Sequence, residues 1–164
     1  MKYPQRKLHR LKTWDYRQPG YYHITICTKD RRPILCSIHQ NGLDAEVIPT
    51  EIGRIIQENW NHLHLHFPNV QTDYFCMMPN HIHGIIVIEP SQQGQSKSLE
   101  EIVRGFKSVT TRAYNKLVSA QQKNTLWQAS FYDEIIRNDQ MLLEVRKYIY
   151  GNPSKWLEDE LYIQ

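Results

Sequence analysis

Hydrophobic and polar positions along the chain alternate between two periods, and each change of period marks an element. Tyr21 to Thr28 (YYHITICT) is β-branched and aromatic, lies between Pro19-Gly20 and a charged stretch, and predicts a strand. From Thr50 the period lengthens: Ile52, Ile55, Ile56, Trp60 and Leu63 recur at helical spacing until Pro68 closes the region. Thr72 to Met78 and His81 to Ile88 predict two further strands, joined through Pro79-Asn80 as a hairpin. Pro90 to Lys97 is a polar loop, and Ser98 with Glu101 forms the capping box of a second helix. On that helix Ile102, Phe106, Val109, Ala113 and Leu117 share one face. Arg104, Lys107, Arg112 and Lys116 share the other, which predicts one packed side and one basic side. Leu126 to Arg137 predicts a strand with irregular edges. Asn138 or Asp139 then caps a last helix that runs to Asn152 and is stopped by Pro153.

The order strand, helix, strand, strand, helix, strand, helix predicts an α+β fold: a ferredoxin-like, split βαβ antiparallel sheet with helices on one face and an added C-terminal helix. The expected division is a basic arm over residues 1–20, one domain over 21–156, and an acidic tail over 157–164.

Composition narrows the class. A chain of 164 residues with 40% hydrophobic side chains can bury a single core. Apolar runs such as Ile85 to Ile88 fall far short of the roughly 18 residues of a membrane span, and basic residues, Pro4 and Trp14 stand where a signal peptide needs an apolar segment, so the expected location is cytoplasmic. Cys27, Cys36 and Cys76 are odd in number and lack C-x-x-C spacing, and they read as buried thiols rather than as a disulfide framework or a zinc site. The net charge of +3 is small, but its placement is uneven. Residues 1–17 hold six basic groups and Asp15, a balance of +5, which leaves −2 for the rest. Arg6, Lys7, Arg10 and Lys12, interleaved with Tyr3, Trp14 and Tyr16, have the charge and stacking surface of a single-strand nucleic-acid contact. Arg104, Lys107 and Arg112 are a second candidate contact. Glu158-Asp159-Glu160 reads either as a solvated terminus or as a mask folded over a basic groove.

His81-Ile82-His83 begins an apolar strand, where side chains at i and i+2 share a face about 6.5 Å apart along the chain. Both imidazoles can reach one metal ion while Ile82 enters the core. Eight histidines in 164 residues give roughly 0.4 such pairs by chance, so the pattern depends on its context. The richer cluster His62, His64 and His66 lies where the first helix runs out, and reads as histidines placed at a helix C-terminus. On the last helix Tyr148 and Asn152 lie one turn apart on one face, which Glu144 shares, beside a packing stripe of Leu142, Val145 and Ile149. Tyr150 lies about 200° around the helix from Tyr148, so only one of the two tyrosines can face the histidines.

Three stretches together resemble the REP-associated tyrosine transposases, within the single-tyrosine transposases named for a His-hydrophobic-His motif. They are Met78 to Ile86 (MPNHIHGII); Trp127-Gln128 with Phe131-Tyr132-Asp133 and Ile136-Arg137; and Tyr148 to Pro153 (YIYGNP) with Lys155 and Trp156. The resemblance spans about Arg10 to Trp156. It implies a ferredoxin-like enzyme that cuts and rejoins single-stranded DNA beside hairpins of repetitive extragenic palindromes, as a monomer or a homodimer. It implies His81 and His83 as metal ligands, Asn152 as a third, Mg²⁺ or Mn²⁺ as the ion, and Tyr148 as the nucleophile of a 5′-phosphotyrosine intermediate. Pro153 biases Asn152 away from helical geometry. The alternative is a non-catalytic single-stranded DNA- or RNA-binding module, which would use the aromatic side chains without needing Tyr148 or the histidine pair.

Overall fold

The structure, a computed structural model, describes residues 11, 13–42, 44–92, 94 and 96–162. Its central sheet has four strands: β1 (Gly20–Cys27), β4 (Val70–Met78), β5 (His81–Ile88) and β6 (Tyr132–Ile136), in the order β4-β5-β1-β6. Every pair is antiparallel. Helices α1 (Glu51–Asn61) and α3 (Leu99–Leu117) cover one face, where Ile52, Ile56 and Trp60 of α1 and Leu99, Ile102 and Phe106 of α3 meet Tyr22, Ile24, Ile26, Ile82, Ile86 and Ile88. Helix α4 (Asp139–Gly151) packs on the opposite face through Val145 and Ile149 against Cys76, Met78, Ile85 and Ile136. This is the ferredoxin-like order expected, with the last helix on the far side of the sheet from the other two.

Strand β5 runs between these layers. Ile82, Gly84, Ile86 and Ile88 point to the α1/α3 side, and His81, His83 and Ile85 point to the α4 side. Gly84 makes the first packing possible, since a Cβ there would lie 2.3 Å from Trp60 Cζ2. The indole of Trp60 therefore rests directly on the backbone of β5.

Four features depart from the sequence reading. A two-stranded hairpin, β2 (Cys36–Asn41) and β3 (Asp44–Pro49), stands between β1 and α1, turning at Gly42 with φ +68°. A short helix, α2 (Leu63–His66), follows α1. The expected strand from Leu126 shortens to β6, with Trp127 held by an isolated bridge to Thr28. The buried stripe of α3 is rotated: Leu99, Val103, Thr110 and Tyr114 are buried with Ile102 and Phe106, while Leu117 is exposed. The rotation puts two polar side chains inside, and both are satisfied. Thr110 Oγ1 donates to the Phe106 carbonyl at 2.8 Å and accepts from Trp127 Nε1 at 2.8 Å, and the Tyr114 hydroxyl accepts from Arg32 Nη1 at 3.0 Å.

The capping box of α3 forms as expected: Glu101 N donates to Ser98 Oγ, and Ser98 N donates to Glu101 Oε2 at 2.8 Å. That amide hydrogen bond, helped by Lys97 Nζ at 3.3 Å, holds the Glu101 carboxyl down to about 2. The depressed value makes its contribution present above the unfolded value of about 4.5 and lost as pH falls from there toward 2. Glu101→Ala is expected to cost about 0.5–1 kcal/mol in urea denaturation at pH 7, and the gap from wild type should narrow below about pH 4.5 and close only near pH 2. Gly84→Ala, with no room beside Trp60, is expected to cost about 2–3 kcal/mol in the same measurement.

Candidate active site

The α4 face of the sheet carries a cluster of buried polar residues. In the antiparallel register Thr25 stands opposite His83, Cys27 opposite His81, and His23 opposite Ile85. His81 and His83 are 0% and 2% exposed, and their Nε2 atoms lie 3.0 Å apart. Two ligands about 2.1 Å from a common ion and at right angles to each other stand about 3.0 Å apart, so the pair has the spacing of adjacent ligands on one divalent cation.

The outer nitrogens fix how the rings present themselves. Asn80 Nδ2 donates to the Leu161 carbonyl at 2.7 Å, which turns its Oδ1 toward His81 Nδ1 at 2.8 Å. An amide oxygen only accepts, so His81 carries its proton on Nδ1 and its lone pair on Nε2. Thr25 Oγ1 lies 2.9 Å from His83 Nδ1, and a hydroxyl either donates or accepts. His83 Nε2 is thus able to donate to His81 in the metal-free pair, or to expose its own lone pair once a cation is present. Such outer partners are what orient imidazole ligands in metal sites.

Asp159 completes the group. Its Oδ2 is 3.7 Å from His81 Nε2, its Oδ1 accepts from Leu161 N at 2.7 Å, and its side chain is only 9% exposed. Among the described residues, His81, His83 and Asp159 are a set whose donor atoms lie within 4.8 Å of one another. Two neutral imidazoles and a carboxylate suit a divalent cation. His62, His64 and His66 are exposed around the end of α1 and along α2, away from this group.

Helix α4 brings the tyrosine. Asn138 caps it by accepting from Met141 N at 2.8 Å, and Arg146 pins it to Asp73, at the bulge where the register of β4 shifts between Thr72 and Phe75. This anchoring sets the Tyr148 ring 5.3 Å from the His83 ring at 78°. Tyr150 is 81% exposed. Tyr148 and Asn152 line a cleft of about 220 Å³ with His83, Lys155, Asp159 and Leu161. Asn152 is buried, and its Nδ2 makes no hydrogen bond among the described residues. Against the expectation drawn from Pro153, Asn152 is helical, with φ −60° and ψ −45°. The chain continues past it as a 3-10 turn over Pro153–Glu158, whose first position needs no N–H.

The remaining expected contacts are dispersed. Lys107 Nζ donates to the carbonyls of Gln128, Ala129 and Ser130 at 2.9, 3.3 and 3.0 Å, so it ties down a loop. Trp14 packs on the core and its Nε1 donates to the Tyr22 hydroxyl at 3.2 Å. Arg104 and Arg112 are exposed on α3. Arg6, Lys7, Arg10 and Lys12 lie outside the described residues. Glu144 is exposed and accepts from Gln140 at 2.7 Å.

Three site residues were not read from the sequence as chemistry: Asp159, Asn80 and His23. His23 is 5% exposed, its ring lies 5.5 Å from that of His83 and 5.9 Å from that of Tyr148, and burial pushes it down to about 4, so it is neutral near pH 7. Its 3.9 Å approach to Glu134 Oε2 is therefore not an ion pair.

Residues 17–152 match the family model described as "Transposase IS200 like". The chain belongs to the IS200-like transposase family. An uncharacterized protein of Haemophilus influenzae is 32% identical over 175 residues, covering 94% of this chain and 91% of the relative. A second protein of that strain, whose name places it among the REP-associated tyrosine transposases, is 24% identical over 144 residues, covering 86% and 74%. The solved structure of a REP-associated tyrosine transposase bound to a REP hairpin superposes with a TM-score of 0.63 at 19% identity, covering 89% of this chain and 73% of that one. This transposase therefore has a DNA-processing role and shares the fold of the hairpin-bound protein. No helix among its described residues is long and apolar enough to cross a membrane.

The hydrogen-bond chain through Asn80 predicts its own effect on the His81, His83 and Asp159 group if that group holds a cation. Asn80→Ala should weaken Mn²⁺ binding by roughly 10–100-fold in calorimetry. His81→Ala and His83→Ala should remove it.

Proposed function

We propose that this transposase is a metal-dependent single-strand DNA endonuclease and strand transferase that acts beside hairpins through a phosphotyrosine link to Tyr148. The observation that carries the reading is the meeting of Tyr148 with His83 in one cleft, beside a buried His, His, Asp group, while Tyr150 points to solvent.

The phenol oxygen of Tyr148 attacks the phosphorus of a phosphodiester, the bond to the 3′ oxygen breaks, and that oxygen leaves as a hydroxyl after taking up a proton. The 5′ phosphate is then esterified to Tyr148. A 3′-hydroxyl attacking the same phosphorus restores a phosphodiester and returns the phenol, with no external energy source. His81, His83 and Asp159, with Asn152 as the amide ligand the family resemblance implies, would hold a divalent ion such as Mg²⁺ or Mn²⁺. When bound, it neutralises charge on the non-bridging phosphate oxygens and orients the phosphate. Lys155 lines the same cleft and makes no ion pair among the described residues, which leaves its ammonium for the DNA backbone.

The basic residues ahead of β1 supply the DNA contact. Trp14 and Tyr16 are packed on the core, so a truncation that spares this packing stops before them. Removing residues 1–10 takes away Lys2, Arg6, Lys7 and Arg10. It should weaken binding of a single-stranded hairpin and reduce the slope of log K against log salt by up to about 3, with the melting temperature unchanged.

The chemical test incubates the protein with labelled single-stranded hairpin oligonucleotides carrying their genomic flanks, with Mn²⁺ or Mg²⁺, and resolves the products on a denaturing gel. A protein-linked band is expected from wild type and from Tyr150→Phe, and none from Tyr148→Phe. Hairpin binding without any linked or cleaved product would make the chain a non-catalytic nucleic-acid-binding module.

A further inference from the structure

His23 is a buried imidazole that the proposed chemistry leaves unused. It faces the α4 side of the sheet from β1, between two strands: the register sets it opposite Ile85 in β5 and Glu134 in β6. Its ring stacks on His83 at 29° and meets the Tyr148 ring nearly edge-on at 74°. Both of its ring nitrogens are buried, and neither has a hydrogen-bond partner among the described residues. A phenylalanine would fill this space between the same rings and leave no polar atom unpaired, so packing alone does not call for histidine. The arrangement is that of a group whose partner arrives only in a later state.

Two side chains are placed to become partners. Glu134 is half-exposed, and its Oε2 lies 3.9 Å from His23 Nδ1, so a shift of about 1 Å closes a hydrogen bond. A carboxylate accepts only, which would put the His23 proton on Nδ1 and leave a lone pair on Nε2. Tyr148 is 52% exposed, and its hydroxyl makes no hydrogen bond among the described residues, so the phenol has room to turn.

We propose that His23, oriented by Glu134, is a positioning residue for Tyr148: its Nε2 accepts a hydrogen bond from the phenol hydroxyl and sets the ring in the attacking pose over the His81–His83 pair. The inference rests on Tyr148 being the nucleophile. It assigns the β1–β6 side of the sheet a part in the reaction that the metal ligands do not fill.

The test uses the full chain, Mn²⁺ and a hairpin oligonucleotide that wild type converts to a covalent adduct, comparing His23→Phe, His23→Gln and Glu134→Gln. His23→Phe keeps the ring and loses the acceptor. It should slow the single-turnover adduct rate by about 100-fold, with hairpin affinity, Mn²⁺ affinity and melting temperature close to wild type. His23→Gln, which restores an acceptor, should recover part of that rate, and Glu134→Gln should fall between wild type and His23→Phe. An unchanged rate in His23→Phe overturns the inference. So does a loss of Mn²⁺ affinity, which would make His23 a ligand, and so does a drop in melting temperature that tracks the rate in every variant. A wild-type protein that forms no adduct overturns the nucleophile reading and this inference with it. A wild-type adduct alongside an unaffected His23→Phe overturns this inference alone.

Discussion

Strand β5 is buried on both faces, and the strict alternation of its side chains ties the core to the site. Ile82, Ile86 and Ile88 can enter the α1/α3 core only if His81 and His83 face α4. A slip of one residue would drive two imidazoles into an apolar layer and bring isoleucines to the cleft. Gly84 and Trp60 enforce the register from the core side, because only one position on β5 lacks a Cβ to obstruct the indole. Packing energy on one face of the sheet thus sets the spacing of the imidazole nitrogens on the other.

The polar layer on the α4 face holds together for an electrostatic reason. Burial pushes His23 down to about 4, and a neutral imidazole has one donor and one acceptor whose placement must be decided by its neighbours. For His81 that decision runs from the Leu161 carbonyl through the Asn80 amide, so the segment beyond α4 helps fix the tautomer of a residue on β5. Trp156 closes over the His81 ring at 6.1 Å, and Leu161 is itself buried. Trp156, Asp159 and Leu161 are therefore built against the site, while Leu157, Glu158 and Glu160 between them face solvent.

Much of this was legible in the sequence, and what was not has identifiable causes. The four sheet strands, the capping box and the Tyr148/Asn152 face follow from local periodicity, since each is decided within a turn or two of the chain. The β2–β3 hairpin carried its signal at Asn41-Gly42, but its strands are mostly exposed and lack an apolar run to draw notice. Thr110 and Tyr114 sat on the buried side of α3 because Trp127 and Arg32, distant in sequence, satisfy them there. Asp159 belonged to an acidic run that looked solvent-facing, and only its contact with a strand 78 residues earlier gives it chemical meaning. His23 was hidden in an aromatic strand, and its significance depends on a register with β5 and β6 that no local pattern encodes.

The contrast in burial within the site bears on how the proposed reaction can run in both directions. His81 and His83 are locked between layers, whereas Tyr148 is half-exposed at the rim of the cleft. An enzyme that joins a strand to its own tyrosine and later returns it must hold one phosphorus while two different oxygens take turns opposite each other. Fixed donors on a buried strand suit the first requirement, because their positions cannot drift between the two steps. A phenol on an amphipathic helix, pinned two residues earlier by Arg146 and Asp73, suits the second, since its ring can turn aside without disturbing the sheet. In the proposed reaction these two tasks would fall to a buried strand and to a helix whose tyrosine stands at the rim, and the Arg146–Asp73 hydrogen bond at the bulge of β4 ties that helix to the sheet.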